Sequence, residues 1–258
     1  MSRYSYSYQT IVRYDAIVTK HNFLLRCQPR EDCGVRILEQ HIDLLSWANV
    51  NYGVDVFGNN IIYGSMMTPH DIFVVAVNGV VECGEYRVDD NSPSPYYRSF
   101  TPKTQPSVEI SDFGAATPRE GSALYQMLEL SHRLHTNMSY IPGVTSAESS
   151  AAESFSMSAG VCQDFAHLLI SLARDRGIKA RYVAGLVEGT GETHAWVEVY
   201  SDGGWYGIDP THDNLVERGY IKLSHGRDAL DCSVSRGMHR GSPYHTTEVK
   251  VVVKELFL

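Results

Sequence analysis

Ser158-Ala159-Gly160-Val161-Cys162-Gln163-Asp164-Phe165-Ala166-His167 sets small residues and a glycine directly ahead of a helix that opens on a cysteine. Phe165, Leu168, Leu169, Leu172 and Ala173 recur on one helical stripe behind it, and Gly177 supplies a C-terminal stop. A helix N-terminus presents unpaired N–H groups and the positive end of the helix dipole. Such a setting favours a thiolate over a thiol, and the same N–H groups can hold the oxyanion of a tetrahedral intermediate. Taken alone, a free cysteine is more often a small buried hydrophobe. The residues downstream decide between these.

In Thr193-His194-Ala195-Trp196-Val197-Glu198-Val199 a strand period puts His194, Trp196 and Glu198 on one face; Trp205, Gly207 and Asp209 share a face of the next strand. Ser201-Asp202-Gly203 between them is turn chemistry. A two-residue loop at Ser201-Asp202 sets Asp209 opposite His194, and a loop at Asp202-Gly203 sets it opposite Trp196. Either register makes carboxylate and imidazole neighbours, whereas a three-residue loop breaks the parity. Each of these residues is modest evidence alone. The order Cys162, His194, Asp209, on a helix start and paired strands, is a far more restrictive joint requirement, and it has the form of a nucleophile, a base and an orienting carboxylate.

Outward from this core, Thr117-Pro118-Arg119-Glu120 reads as a capping box with proline at the first helical position, opening a helix to about His135. A shorter helix is predicted over 148–155. Strands are expected at 180–186, 193–200, 204–209 and 248–258. The first ninety residues read as β, with short strand candidates at 8–20, 23–27, 50–57, 61–65, 71–77 and 80–86, and Asn78-Gly79 as a hairpin turn. The tyrosine- and serine-rich start reads as a frayed end with an alternating strand pattern. Four of the ten prolines (Pro93, Pro95, Pro102, Pro106) fall in a junction at about 91–106. The expectation is an α+β protein: a β-rich, sandwich-like domain over 1–106 and a second domain over 107–258.

Hydrophobic residues make up 43% of the 258 and charged residues 20%, ordinary globular usage. A net charge of -8 argues against nucleic-acid or anionic-membrane partners. No stretch approaches the roughly 18–20 apolar residues of a membrane span, and the N-terminus lacks a signal-peptide core. Five scattered cysteines (Cys27, Cys33, Cys83, Cys162, Cys232) with no zinc spacing suit a reducing, cytoplasmic compartment.

The stretch from about Gly160 to Asn214 resembles the transglutaminase-like superfamily of papain-type cysteine enzymes, in its bacterial branch with a β-rich N-terminal region. Three motifs carry the resemblance: 160–167, His194-Ala195-Trp196-Val197-Glu198-Val199, and Trp205-Tyr206-Gly207-Ile208-Asp209-Pro210-Thr211. Tyr140-Ile141-Pro142-Gly143, Gly219-Tyr220-Ile221 and Gly226-Arg227-Asp228 extend it, and Asp55-Val56-Phe57-Gly58-Asn59-Asn60 resembles the branch's β domain. The resemblance implies a papain-like core in which the cysteine helix packs on an antiparallel sheet. It also implies Cys162 as nucleophile, His194 as base and acid, and Asp209 as orienter. The chemistry implied is attack on the amide or carboxamide of a protein or peptide, giving a thioester that water or an amine resolves, without metal or cofactor. Hydrolysis, protein cross-linking, and an idle peptide-binding or assembly module on the same fold all remain open, as does the oligomeric state.

Papain-type enzymes place a helping glutamine several residues before the cysteine, where this chain has Ser156. The oxyanion hole is therefore assigned to the Cys162 backbone N–H and a second donor that the sequence does not name. His167, five residues along the helix from Cys162, reads as a packing histidine. Trp196 and Trp205 read equally as floor of a substrate groove or as core. His212, Asp213, His225, His239 and His245 show no interpretable spacing and default to loop or exposed positions.

Overall fold

A single bent strand, β1 (Ser2–Leu25), organises the N-terminal half of the computed structural model, which describes residues 1–44, 48–241 and 244–257. After it come β2 (Val35–Leu44), β3 (Asn49–Val54), β4 (Asn60–Met66) and β5 (His70–Cys83). The first half of β1 pairs with β5; beyond a register shift between Arg13 and Val18, its second half pairs with β4. With β2 outside β5 and β3 outside β4, one strand belongs to two half-sheets that share a core, a sandwich-like arrangement.

Two expectations are corrected here. Tyr4, Tyr6 and Tyr8 alternate with serine and glutamine and are all buried, so the tyrosine-rich start is a core strand and not a frayed end. Asn78-Gly79 does not turn: it lies inside β5, where a Cβ on Gly79 would sit 2.0 Å from the Glu39 carbonyl oxygen. The glycine serves a close strand approach beside a register shift between Ile37 and Glu39.

The proline-rich junction is ordered and packed. It holds β6 (Val88–Asp89) and a 3₁₀ turn (Pro95–Arg98), with Tyr97 buried 5.2 Å from the Trp205 ring. Next are α1 (Val108–Ala115) and α2 (Ala123–Asn137). The capping box expected at Thr117 is not used: Ser122 caps α2, because Gly121 at φ +78° interrupts the helical path before it. β7 (Ser139–Tyr140), α3 (Ala151–Met157) and β8 (Ala159–Gly160) lead into α4 (Cys162–Asp175), with Gly177 at φ +73° beyond its C-terminus.

β9 (Ala180–Val187), β10 (Gly189–Gly191), β11 (His194–Ser201), β12 (Gly204–Asp209), β13 (Asn214–Leu215) and β14 (Tyr220–Gly226) follow, then α5 (Ala229–Cys232), β15 (Ser235–Arg240) and β16 (His245–Leu256). An antiparallel sheet runs β13-β12-β11-β9-β14, with β6 beside β12. Ala195, Val197 and Val199 face α4 and α2, whereas Trp196, Val183 and Leu186 point into the core shared with β1 and β5. The molecule is thus layered: helices, central sheet, N-terminal β. The C-terminal strand, expected with the second half, instead crosses back: β15 and β16 pair with β1, and β10 pairs with β16.

Polar ties cross the same boundary. Glu198, fully buried on β11, is bound by Arg181, by Lys222 at 2.8 Å and by the Tyr86 hydroxyl at 2.7 Å. Lys222 also reaches Asp32 at 3.3 Å. In the Asp55–Asn60 loop, buried Asn59 donates to the His225 carbonyl (2.8 Å) and accepts from the His225 N–H (2.9 Å). His225 is therefore a buried strand residue, not a loop histidine.

Candidate active site

Gly160 and Asp164 set the start of α4. The Asp164 carboxylate reaches back to accept the Val161 N–H at 2.8 Å and the Thr145 hydroxyl at 2.6 Å. A Cβ on residue 160 would lie 2.6 Å from Asp164 Cβ and Oδ2, so only glycine leaves room for this cap. Cys162 then falls in the first turn, partly exposed, whereas Cys27, Cys33, Cys83 and Cys232 are buried. Burial pushes the Cys27 thiol up to about 12 and that of Cys83 to about 11.

The hairpin takes the Asp202-Gly203 loop, with Ser201 paired to Gly204 and Val197 to Ile208. Asp202 (φ +48°) and Gly203 (φ +83°) supply the two left-handed residues of a tight turn. That register carries Asp209 towards Trp196, diagonal to His194, and the side chains meet: His194 Nε2 donates to Asp209 Oδ2 at 2.7 Å. Nδ1 is the ring nitrogen left for the thiol. Burial opposes the charge on His194, but hydrogen bonds to Asp209 and Cys162, together with their charges, raise its pKa to about 10.

Asp209 has no exposed surface and accepts five hydrogen bonds. Oδ1 takes the N–H groups of Thr211 (2.9 Å) and His212 (3.2 Å). Oδ2 takes His194, His212 Nδ1 (2.7 Å) and the Tyr220 hydroxyl (2.8 Å). Burial alone would raise this carboxyl, yet the two histidines hold it well below the ordinary carboxylate range. His212 and Tyr220 are members of the site that sequence reasoning missed. The signal for His212 was its place three residues after Asp209, just past a proline turn; Tyr220, the first residue of β14, was marked only by the family likeness of Gly219-Tyr220-Ile221, which gave it no role. His194, Asp209 and His212 offer ligand atoms within 4.8 Å of one another, but both imidazoles already donate to the carboxylate between them.

Cys162 and His194 sit where two clefts meet. One, of about 690 Å³, is lined by Tyr140, Pro142, Glu188, Glu192 and His212. The other, of about 360 Å³, runs under the N-terminal sheet past Tyr8, Thr10, Thr247 and Val249. Trp196 and Trp205 line neither: both are fully buried, which corrects the groove reading. Trp196 donates to Tyr86 Oη (2.9 Å) and Trp205 to Asp90 (2.9 Å), and Gly185 leaves the space that the Trp196 ring fills. His167 is wholly buried and accepts the Ala229 N–H at 3.2 Å; burial lowers its pKa to about 3, so it packs as a neutral ring.

An antiparallel sheet behind a cysteine-bearing helix, joined to a β-rich N-terminal half, defines a papain-like transglutaminase core, and sequence comparison assigns the same class. Residues 114–210 match the transglutaminase-like superfamily, and residues 4–82 match the bacterial transglutaminase-like N-terminal region. The chain belongs to the bacterial transglutaminase-like proteins. An uncharacterized protein of Mycobacterium leprae is 36% identical over 129 residues, which span 46% of this chain and 45% of that protein. One from Mycobacterium tuberculosis, also uncharacterized, is 27% identical over 92% of this chain and 87% of its own length. A cysteine-protease candidate from Cytophaga hutchinsonii has the same fold, with a TM-score of 0.82 at 20% identity over 100% of this chain and 91% of that one. Among the described residues, no helix is long and apolar enough to cross a membrane.

Proposed function

We propose that this protein is a cysteine-dependent amide hydrolase or acyl transferase acting on a protein or peptide. Cys162 is the nucleophile, His194 the proton carrier and Asp209 the group that orients it. The observation that carries this reading is the position of His194, held at 2.7 Å by a buried carboxylate and lining, together with Cys162, both clefts of the site. The protonated ring provides the counter-charge that a thiolate needs. The thiolate adds to the amide carbonyl, with the oxyanion directed to the N–H groups at the start of α4. His194 then protonates the leaving amine, and water or an incoming amine releases the acyl group from sulfur. The two clefts meeting at Cys162 suit an acyl group on one side and its amine partner on the other. Unpaired cysteines throughout fit a reducing compartment such as the cytoplasm.

Site-resolved alkylation by iodoacetamide near pH 6 tests this directly. Cys162 reacts far faster than the four buried cysteines, and loses that advantage in His194→Ala. Equal reactivity of all five thiols in the folded chain would overturn the assignment. Amide-release assays with and without an added primary amine then separate hydrolysis from transfer.

A further inference from the structure

Tyr182 stands in the cleft that runs from Cys162 under the N-terminal sheet. Side chains alternate along β9: Ala180, Tyr182 and Ala184 face the helices, whereas Val183 and Leu186 face the N-terminal core. Tyr182 is 5% exposed, and its hydroxyl makes no hydrogen bond to any of the described residues. A buried phenol ordinarily finds a partner for its O–H. The unpaired hydroxyls of Ser131 and Ser171 are sealed from solvent, but that of Tyr182 is not. His167 packs against the ring from the helix side, with centroids 5.3 Å apart. On the open side Ala184 pairs with Ala195; both line the cleft, where larger side chains would fill it.

The same cleft holds the start of α4, through Val161, Cys162 and Gln163. The Val161 N–H is taken by Asp164 at 2.8 Å, so the amides of Cys162 and Gln163 are those left over at the helix start. Burial, and after it the charge on Cys162, raises the Tyr182 pKa well above its ordinary value. The phenol therefore keeps its proton beside a thiolate. Other side-chain donors nearby are engaged or solvated. Gln163 Nε2 turns to the Ala147 carbonyl at 3.4 Å, Tyr220 donates to Asp209 at 2.8 Å, and Tyr140 is 54% exposed.

We propose that Tyr182 is a catalytic residue, its hydroxyl the second donor of the oxyanion hole beside the Cys162 N–H. This rests on Cys162 being the nucleophile. As sulfur forms its bond to the carbonyl carbon, the π pair of the carbonyl moves onto oxygen. The Tyr182 O–H and the Cys162 N–H donate to that oxygen, and neither gives up its proton. When the intermediate collapses the C=O bond re-forms, the C–N bond breaks, and the amine leaves with the proton from His194. A buried phenol, fixed before the reaction starts, meets the developing charge without reorganising. It also stands in for the helping glutamine that this chain lacks ahead of its cysteine, reaching the same oxygen from the sheet.

The test compares two reactions of Cys162 in Tyr182→Phe, which keeps the ring and removes only the hydroxyl. Iodoacetamide alkylates the thiolate by displacement at a saturated carbon and forms no oxyanion. The ester p-nitrophenyl acetate acylates it through a tetrahedral one, read as the nitrophenolate release that is lost in Cys162→Ala. The readout is the ratio of acylation rate to alkylation rate, so any loss of folded protein cancels. That ratio falls by about 10²–10³-fold in Tyr182→Phe. A ratio equal to that of the parent chain overturns the proposal, whether both rates hold or both fall together. Failure of the underlying reading looks different: Cys162 of the parent chain would then alkylate no faster near pH 6 than the buried cysteines.

Discussion

Asp209 illustrates how much one buried oxygen can be asked to do. Its Oδ2 serves His194, His212 and Tyr220 together, so the carboxylate is fixed however the histidine moves its proton. Three expected outcomes belong at this scale. Cys162→Ala abolishes amide release and leaves the fold intact, as read by activity assay and circular dichroism. In Asp209→Asn, turnover falls by about 10³–10⁴-fold, by analogy with other oriented-base triads. The alkaline limb of kcat/KM also moves to lower pH there. The sign follows from the geometry: His194 is raised to about 10 largely by Asp209, and removing that charge lowers it. An unmoved alkaline limb would show that Asp209 does not govern the base. His212→Ala has a much smaller effect, because Asp209 retains four of its five donors.

Elements act through their ends. α4 presents Cys162 correctly only because Asp164 folds back onto Val161, and that in turn needs a bare Cα at residue 160. Gly160→Ala pushes a methyl group into the Asp164 side chain. The expected cost is about 1–3 kcal/mol, with slower alkylation of Cys162; thermal melting and the alkylation rate check the two parts separately. The capping residues of α2 show why helix starts were read less well than helix bodies. Thr117 and Ser122 both satisfy the local pattern, and the positive φ of Gly121 between them decides which one caps. By contrast α4, with its five-residue apolar stripe and terminal glycine, was legible from end to end.

The whole molecule is held by a charge network that spans its layers. Glu198→Gln leaves Arg181 buried without its carboxylate partner and Lys222 with Asp32 alone, and should destabilise the protein by about 3–5 kcal/mol in chemical denaturation. Because the two halves share one core, unfolding of the parent chain should be a single transition. Acid also weakens the whole. His167 and His21 are neutral when folded, with pKa values lowered to about 3 and about 4. A depressed folded-state pKa gives stability that is present above the unfolded value near 6.5 and lost as pH falls below it. Stability should therefore drop between pH 6.5 and 4, by up to about 1.4 kcal/mol per pH unit for each ring. Urea midpoints at pH 7 and pH 5 measure it.

The sequence by itself determined the cysteine helix, the His194–Asp209 hairpin and the β character of the first half, because each rests on short-range periodicity and turn chemistry. It narrowed the hairpin to two registers, both of which join the same pair. It could not tell groove from core at Trp196 and Trp205, since a strand face is apolar in either case and only the layer opposite decides. Nor could it place His212 and Tyr220 against Asp209. Their partners lie on other strands, and a preference for one neighbour over another leaves no local mark. The return of β16 to β1 was hidden for the same reason: pairing across more than two hundred residues is chosen by the shared core, and only the tertiary structure contains that choice.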